Sequence, residues 1–167
     1  MAGQSDGSHL FCRLAALIDG EGMIAVEKTQ PSPRLQNRTN PRYQSYVRIV
    51  NTNEVLMRWL VEHFGGSYRS RKPEKPHHKP PHTWTVADKD ARNILVKVRP
   101  FLIIKTAQCD NNLAFTAGYE DSRGRHAGRG RGMRPEELAR RERHYLVSRS
   151  LNRRGVAPAE TKRGSAV

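Results

Sequence analysis

The chain has 167 residues, 36% of them hydrophobic, which suits one domain of ordinary size with a compact core. Thirty Lys and Arg against 16 Asp and Glu give a net charge of +14, and clusters of such side chains bind polyanions by releasing condensed counterions, so nucleic acid ranks first among partners. No apolar run approaches the roughly 20 residues that span a bilayer, the first ten residues lack a basic and apolar leader, and the only two cysteines, Cys12 and Cys109, read as packing thiols rather than a disulfide framework. The expectation is an intracellular protein of a reducing compartment, the cytoplasm of a prokaryote or an organelle, that is not secreted and has no membrane partner.

In chain order, residues 1–7 read as a flexible start. Leu10, Leu14 and Leu17 then recur at helical spacing, and Phe11, Ala15 and Ile18 repeat the pattern one residue on, which predicts a helix with a wide apolar face. The helix ends in "IDGEG", where Asp19 and Glu21 alternate with Gly20 and Gly22. Acids at a helix C-terminus are repelled by its partial negative charge, by a few tenths to about 1 kcal/mol, so their placement needs a reason.

"MIAVEKTQ" and "YQSYVRIVN" alternate apolar and polar residues as half-buried strands. "NEVLMRWLVEHFGG" is an amphipathic helix with Asn53 as N-cap and glycines at its end. Two short strands, "SYRSRK" and "HTWTV", flank a proline-rich loop. The helices "DKDARNILVKV", opened by capping-type acids, and "TAQCDNNLAFTAGY" follow. Trp59 and Trp84 read as core residues. His77, His78 and His82 lack the companion ligands of a zinc site.

Residues 1–120 hold 17 basic and 11 acidic residues, and residues 121–167 hold 13 and 5. The Gly/Arg-rich stretch 121–133 reads as a basic loop. Residues 134–155 read as a basic C-terminal helix with Leu138, Tyr145, Leu146 and Leu151 on one stripe, and 156–167 as a disordered tail. The order predicts an α+β fold: an αββαββα core over residues 8–120 with one antiparallel sheet, plus the C-terminal helix. The strand face turned away from the core would carry Glu27, Thr29, Gln44, Tyr46, Arg48, Arg69, Arg71, Thr83 and Thr85, a mixture suited to a DNA groove.

"LAALIDGEG", Leu14 to Gly22, resembles the signature of the LAGLIDADG homing endonucleases, with Ala16 where Gly is usual. "IVNTNEVL" and "RPFLIIKTAQ" fall where the family has further landmarks. The resemblance implies a saddle-shaped DNA-binding sheet and a site-specific, intron-encoded endonuclease that hydrolyses double-stranded DNA across the minor groove and leaves 3′ overhangs. Glu21 inherits the role of metal ligand, in place of the usual Asp, with the Gly20 carbonyl as a second donor. Lys105 and Asn51 inherit catalytic roles beside it, and Asp19 a supporting one. Mg²⁺ is the implied cofactor, with Mn²⁺ or Ca²⁺ able to substitute for binding.

Only one copy of the motif is present, which implies a homodimer and a long pseudo-palindromic target. Ala15 and Ala16 are small enough for two such helices to approach, which nominates Leu14, Ala15, Ala16, Leu17 and Ile18 as the dimer interface. Two alternatives stay open at this point: an RNA maturase of the same fold with intron RNA as partner, and a non-catalytic basic nucleic-acid-binding protein.

Overall fold

The computed structural model describes residues 5–31, 40–73, 75, 77–117 and 133–153. Helix α1 (Ser5–Glu21) leads directly into β1 (Gly22–Thr29), and β2 (Arg42–Asn51) follows. Then come α2 (Glu54–Phe64), β3 (Ser67–Ser70), β4 (His82–Ala87), α3 (Asp88–Val98), a 3-10 turn at Arg99–Phe101, α4 (Thr106–Ala117) and α5 (Pro135–Leu151). The αββαββα order is therefore present. The first helix starts at Ser5, earlier than residue 8, and β3 stops at Ser70, so Arg71 lies just outside it. The basic stretch 121–132 and the tail 156–167 lie outside the described residues. No described helix is long and apolar enough to cross a membrane.

The four strands form one antiparallel sheet in the order β1-β2-β4-β3. Strand alternation puts Ile24, Val47, Ile49, Trp84 and Val86 on one face, where they pack with Leu14, Ala15 and Ile18 of α1, Met57 and Leu60 of α2, and Ala91, Ile94, Leu95 and Val98 of α3. Trp84 is fully buried and donates its indole N–H to the Gly65 carbonyl at 2.9 Å, while Trp59 is only partly buried against the core. Gly65 and Gly66, with φ of 69° and 78°, make the turn out of α2. A Cβ on Gly66 would lie 2.4 Å from Val86 Cγ1, so the turn accepts no side chain there.

Asn53 caps α2 as expected, accepting from the N–H groups of Val55 and Leu56. The acids opening α3 do not cap it. Ala87 occupies the N-cap position without a side-chain bond, and Asp88 and Asp90 lie in the first turn. Cys109 is buried in the core, whereas Cys12 is exposed on α1 and does not pack.

Helix α5 covers the free edge of β1. The Val26 N–H donates to Ser148 Oγ at 2.9 Å in a buried bond, and Asn152 Nδ2 donates to the Ile24 carbonyl at 3.0 Å. Edge groups that would template pairing with another chain are thus satisfied by side chains. Below the edge, Val26, Tyr43 and Phe115 form a second small core with Leu138 and Tyr145. Glu142 closes it, receiving Lys28 Nζ at 2.7 Å and the Tyr43 hydroxyl. Leu146 and Leu151, expected on the same stripe as Leu138 and Tyr145, are exposed instead. The buried line of α5 runs through Ser148, because an edge strand presents polar backbone that a hydroxyl can bond and a leucine cannot.

Candidate functional site

The end of α1 brings the motif residues into place. At Gly22 an added Cβ would lie 2.6 Å from the Ile18 Cα and 2.9 Å from its carbonyl oxygen, so only glycine permits the direct passage from helix to strand. At Gly20 a Cβ would meet nothing within 4 Å, and that face of the helix is open. Glu21, between them, is exposed.

Gly22 pairs with Ile49 in the sheet, so Asn51, two residues further along β2, stands beside the helix end. Asn51 Nδ2 donates to Glu21 Oε2 at 2.5 Å. Its other amide atom, Oδ1, accepts the Asn53 N–H at 2.8 Å, which fixes the amide with its NH₂ toward Glu21. The cap of α2 thereby sets the geometry of the carboxylate at the end of α1. The contact comes from the Asn53 backbone, while its side chain caps α2.

Asp19 faces the other way. Its carboxylate accepts backbone N–H groups from Ile103 at 2.7 Å, Lys105 at 2.9 Å and Ile104 at 3.3 Å. Burial raises its pKa, but these three bonds, aided by the Lys105 charge, outweigh burial and hold the carboxyl below the usual carboxylate range. Lys105 returns the contact: its ammonium donates to the carbonyls of Ile18 and Asp19 at 2.7 and 2.5 Å. Burial pulls the Lys105 ammonium below its ordinary value, with Asp19 opposing the shift. Asp19, on the last turn of α1, therefore has its reason in the chain itself. Lys105 lies beside the motif as expected, with its charge applied to the C-terminal carbonyls of α1.

The interface residues divide. Leu14, Ala15 and Ile18 are fully buried against the chain's own sheet and offer no surface to a second helix. This corrects the expectation for those three. Leu17 is partly buried, and Ala16 is exposed on the same side as Gly20. Of the two alanines, Ala15 lies on the core side of α1 and Ala16 on its open side.

The outer face of the sheet is assembled largely as the alternation indicated. Glu27 stands opposite Gln44, Thr29 opposite Arg42, Thr85 between Arg48 and Ser67, and Thr83 between Val50 and Arg69. Met23, Arg42 and Ser67 share this face and were missed, although the two-residue period extended to each would have found them. Tyr46 is on the outer face but only 4% exposed, and burial with the Glu27 charge raises its phenol pKa. Gln44 Nε2 donates to Asp88 Oδ2 at 3.2 Å.

The site residues fit an oxygen-liganded divalent cation in kind: an exposed carboxylate next to an exposed glycine where α1 meets the sheet. Among the described residues no group of three or more His, Cys, Asp or Glu gathers, so one chain brings a single well-placed carboxylate, Glu21.

The four-stranded antiparallel sheet with its helices, and the helix that ends in Glu21, make the fold that of the LAGLIDADG homing endonucleases. The archaeal intron-encoded homing endonuclease I-Vdi141I complexed with DNA aligns with a TM-score of 0.66 and 17% identity, over 90% of this chain and 89% of that one. The homing endonuclease I-CvuI in complex with its target in 2 mM Ca aligns with a TM-score of 0.66 and 16% identity, over 86% and 82%. The I-LtrWI LAGLIDADG homing endonuclease bound to target DNA aligns with a TM-score of 0.61 and 15% identity, over 87% of this chain and 45% of that one. No protein-family model matches the chain, and no curated protein matches it in sequence.

Proposed function

We propose that the protein is a homodimeric, Mg²⁺-dependent, site-specific endonuclease that hydrolyses both strands of double-stranded DNA. The observation that carries this is the exposed Glu21 carboxylate, set by Gly22 at the helix end and oriented by Asn51 beside the outer sheet face of a strongly basic chain. DNA in the solved complexes of the same fold supports the partner.

A single carboxylate is half of a cation site. The chain spans most of I-CvuI and I-Vdi141I but 45% of I-LtrWI, which supports reading it as one half of a two-part assembly. A two-fold axis along the exposed Ala16 and Gly20 face would set two Glu21 carboxylates together. Glu21 and the Gly20 carbonyl would then hold the metal, which when bound supplies an acidified water and neutralises charge on the leaving oxygen. Asn51, hydrogen-bonded to Glu21, would hold that carboxylate in place. Lys105 fixes the carbonyl end of α1 and adds positive potential beside the phosphate. The outer sheet face lies in the major groove and reads a long pseudo-palindromic target, with cuts across the minor groove that leave 3′ overhangs.

The test is a double-stranded DNA library incubated with the full chain in Mg²⁺, with the resulting ends sequenced. One palindromic site cut by wild type and left intact by Glu21→Gln is the expected result. Cutting by Glu21→Gln at the wild-type rate overturns the metal-ligand role, and no cut sequence overturns the endonuclease reading.

A further inference from the structure

Tyr46 is a tyrosine on the outer, polar face of the sheet, yet it is 4% exposed. Its cross-strand neighbours explain how. It pairs with Ala25 on β1 and Ala87 on β4, so small side chains leave room on both sides of the ring. Arg48, the next residue on the same face of β2, fills that room: its guanidinium carbon lies 4.4 Å from the Tyr46 ring centroid. Beyond the ring, Arg48 Nη1 comes within 3.7 Å of Glu27 Oε1, although Glu27 stands opposite Gln44, two places further along the sheet. Arg48 is thus laid back across Tyr46 and tethered at its far end.

This arrangement restricts a side chain that is otherwise among the most flexible. The separation from Glu27 exceeds a hydrogen bond, and the Arg48 guanidinium makes none to another described residue, so its planar fork of N–H donors is positioned without being used. About a third of the Arg48 side chain, 30%, is exposed. Met23 and Thr85 stand opposite Arg48 on the flanking strands, a thioether and a short hydroxyl that do not screen the fork. A pre-oriented guanidinium on a groove-facing sheet matches the O6 and N7 acceptors of guanine, the one base edge that offers two acceptors to such a fork. A phosphate contact would not need the ring platform.

We infer that Arg48 reads one guanine in each half of the DNA target, with Tyr46 as its platform and Glu27 as the positioning residue that sets its reach. The inference rests on the DNA-endonuclease reading above and names one feature of its substrate. Loss of the tether frees the side chain, so Glu27→Gln blurs the preference at that base.

The experiment selects sequences bound by the full chain from a randomised double-stranded DNA library in Ca²⁺, for wild type, Arg48→Ala and Glu27→Gln. Wild type should enrich a guanine at one position and its symmetry-related mate, by about tenfold or more over the other bases. Arg48→Ala should lose that guanine and keep every other preference, and Glu27→Gln should lower the enrichment at that position alone. Arg48→Ala weakening all sequences alike, with the guanine still enriched, shows a phosphate contact and overturns the inference. Wild type that enriches no sequence overturns the site-specific reading itself, and the Arg48 assignment with it.

Discussion

Asp19 and Lys105 exchange helix ends. The carboxylate of Asp19, on the last turn of α1, binds the N–H groups of residues 103–105 just ahead of α4, and the Lys105 ammonium binds the last carbonyls of α1. Each charge would be poorly placed on its own helix and is well placed on the other's. The first intrahelical bond of α4, from Cys109 N–H to the Lys105 carbonyl, begins at the same residue. The turn that presents Glu21 is therefore clamped from beneath by a segment over 80 residues away.

That exchange predicts a strong coupling. Asp19→Ala and Lys105→Met should each lower unfolding free energy by about 2 kcal/mol, since each leaves partly buried polar groups without partners. A double-mutant cycle by urea denaturation should give a coupling of about 1 kcal/mol or more. Strict additivity would show that the two contacts stabilise independently.

The two glycines of the motif should behave oppositely. Gly22→Ala forces a Cβ onto the Ile18 backbone, which cannot move aside cheaply, and should cost about 1–3 kcal/mol. Gly20→Ala meets nothing and removes a helical glycine, so thermal stability should hold or rise, by up to about 1 kcal/mol. Gly20→Leu should leave the fold intact and weaken self-association in sedimentation velocity. An unchanged dimer would move the interface away from this face of α1.

Acid stability should depend on Glu137. Hydrogen bonds from Arg140, and then Arg141, outweigh burial and hold its carboxyl at about 2 rather than 4.5. A carboxyl with a depressed folded value contributes stability above its unfolded value, and that contribution is lost as pH falls from about 4.5 toward 2. Arg140 also donates to the Phe115 carbonyl at 3.2 Å, so the pair ties α5 to the end of α4. Thermal melts of Glu137→Gln should show a lower midpoint at neutral pH and a shallower loss across that acid window. A parallel pH curve would assign acid sensitivity elsewhere.

The edge cover of β1 should be measurable as well. Ser148→Ala leaves the buried Val26 N–H without its acceptor and should cost about 1–3 kcal/mol. Ending the chain before Pro135 exposes the β1 edge and the apolar cluster of Val26, Tyr43 and Phe115 together. Light scattering should then show aggregation at concentrations where the full chain stays dispersed.

Local patterns determined a great deal. The αββαββα order, the Asn53 cap and the alternation that sends Glu27 and Arg48 to one face and Ile24 and Val47 to the other depend on residues close in the chain. The glycines around Glu21 were legible for the same reason, because a helix that becomes a strand without a loop needs a residue with no Cβ at Gly22. What only the tertiary structure decided are the contacts across long separations. Asp19 meets residues 103–105, Ser148 meets Val26, and Arg48 lies back over Tyr46 because Ala25 and Ala87 come from two other strands. The split of α1 into a core side with Ala15 and an open side with Ala16 and Gly20 belongs here too. A helix with a wide apolar face has no unique inward direction until a sheet of known order is laid against it.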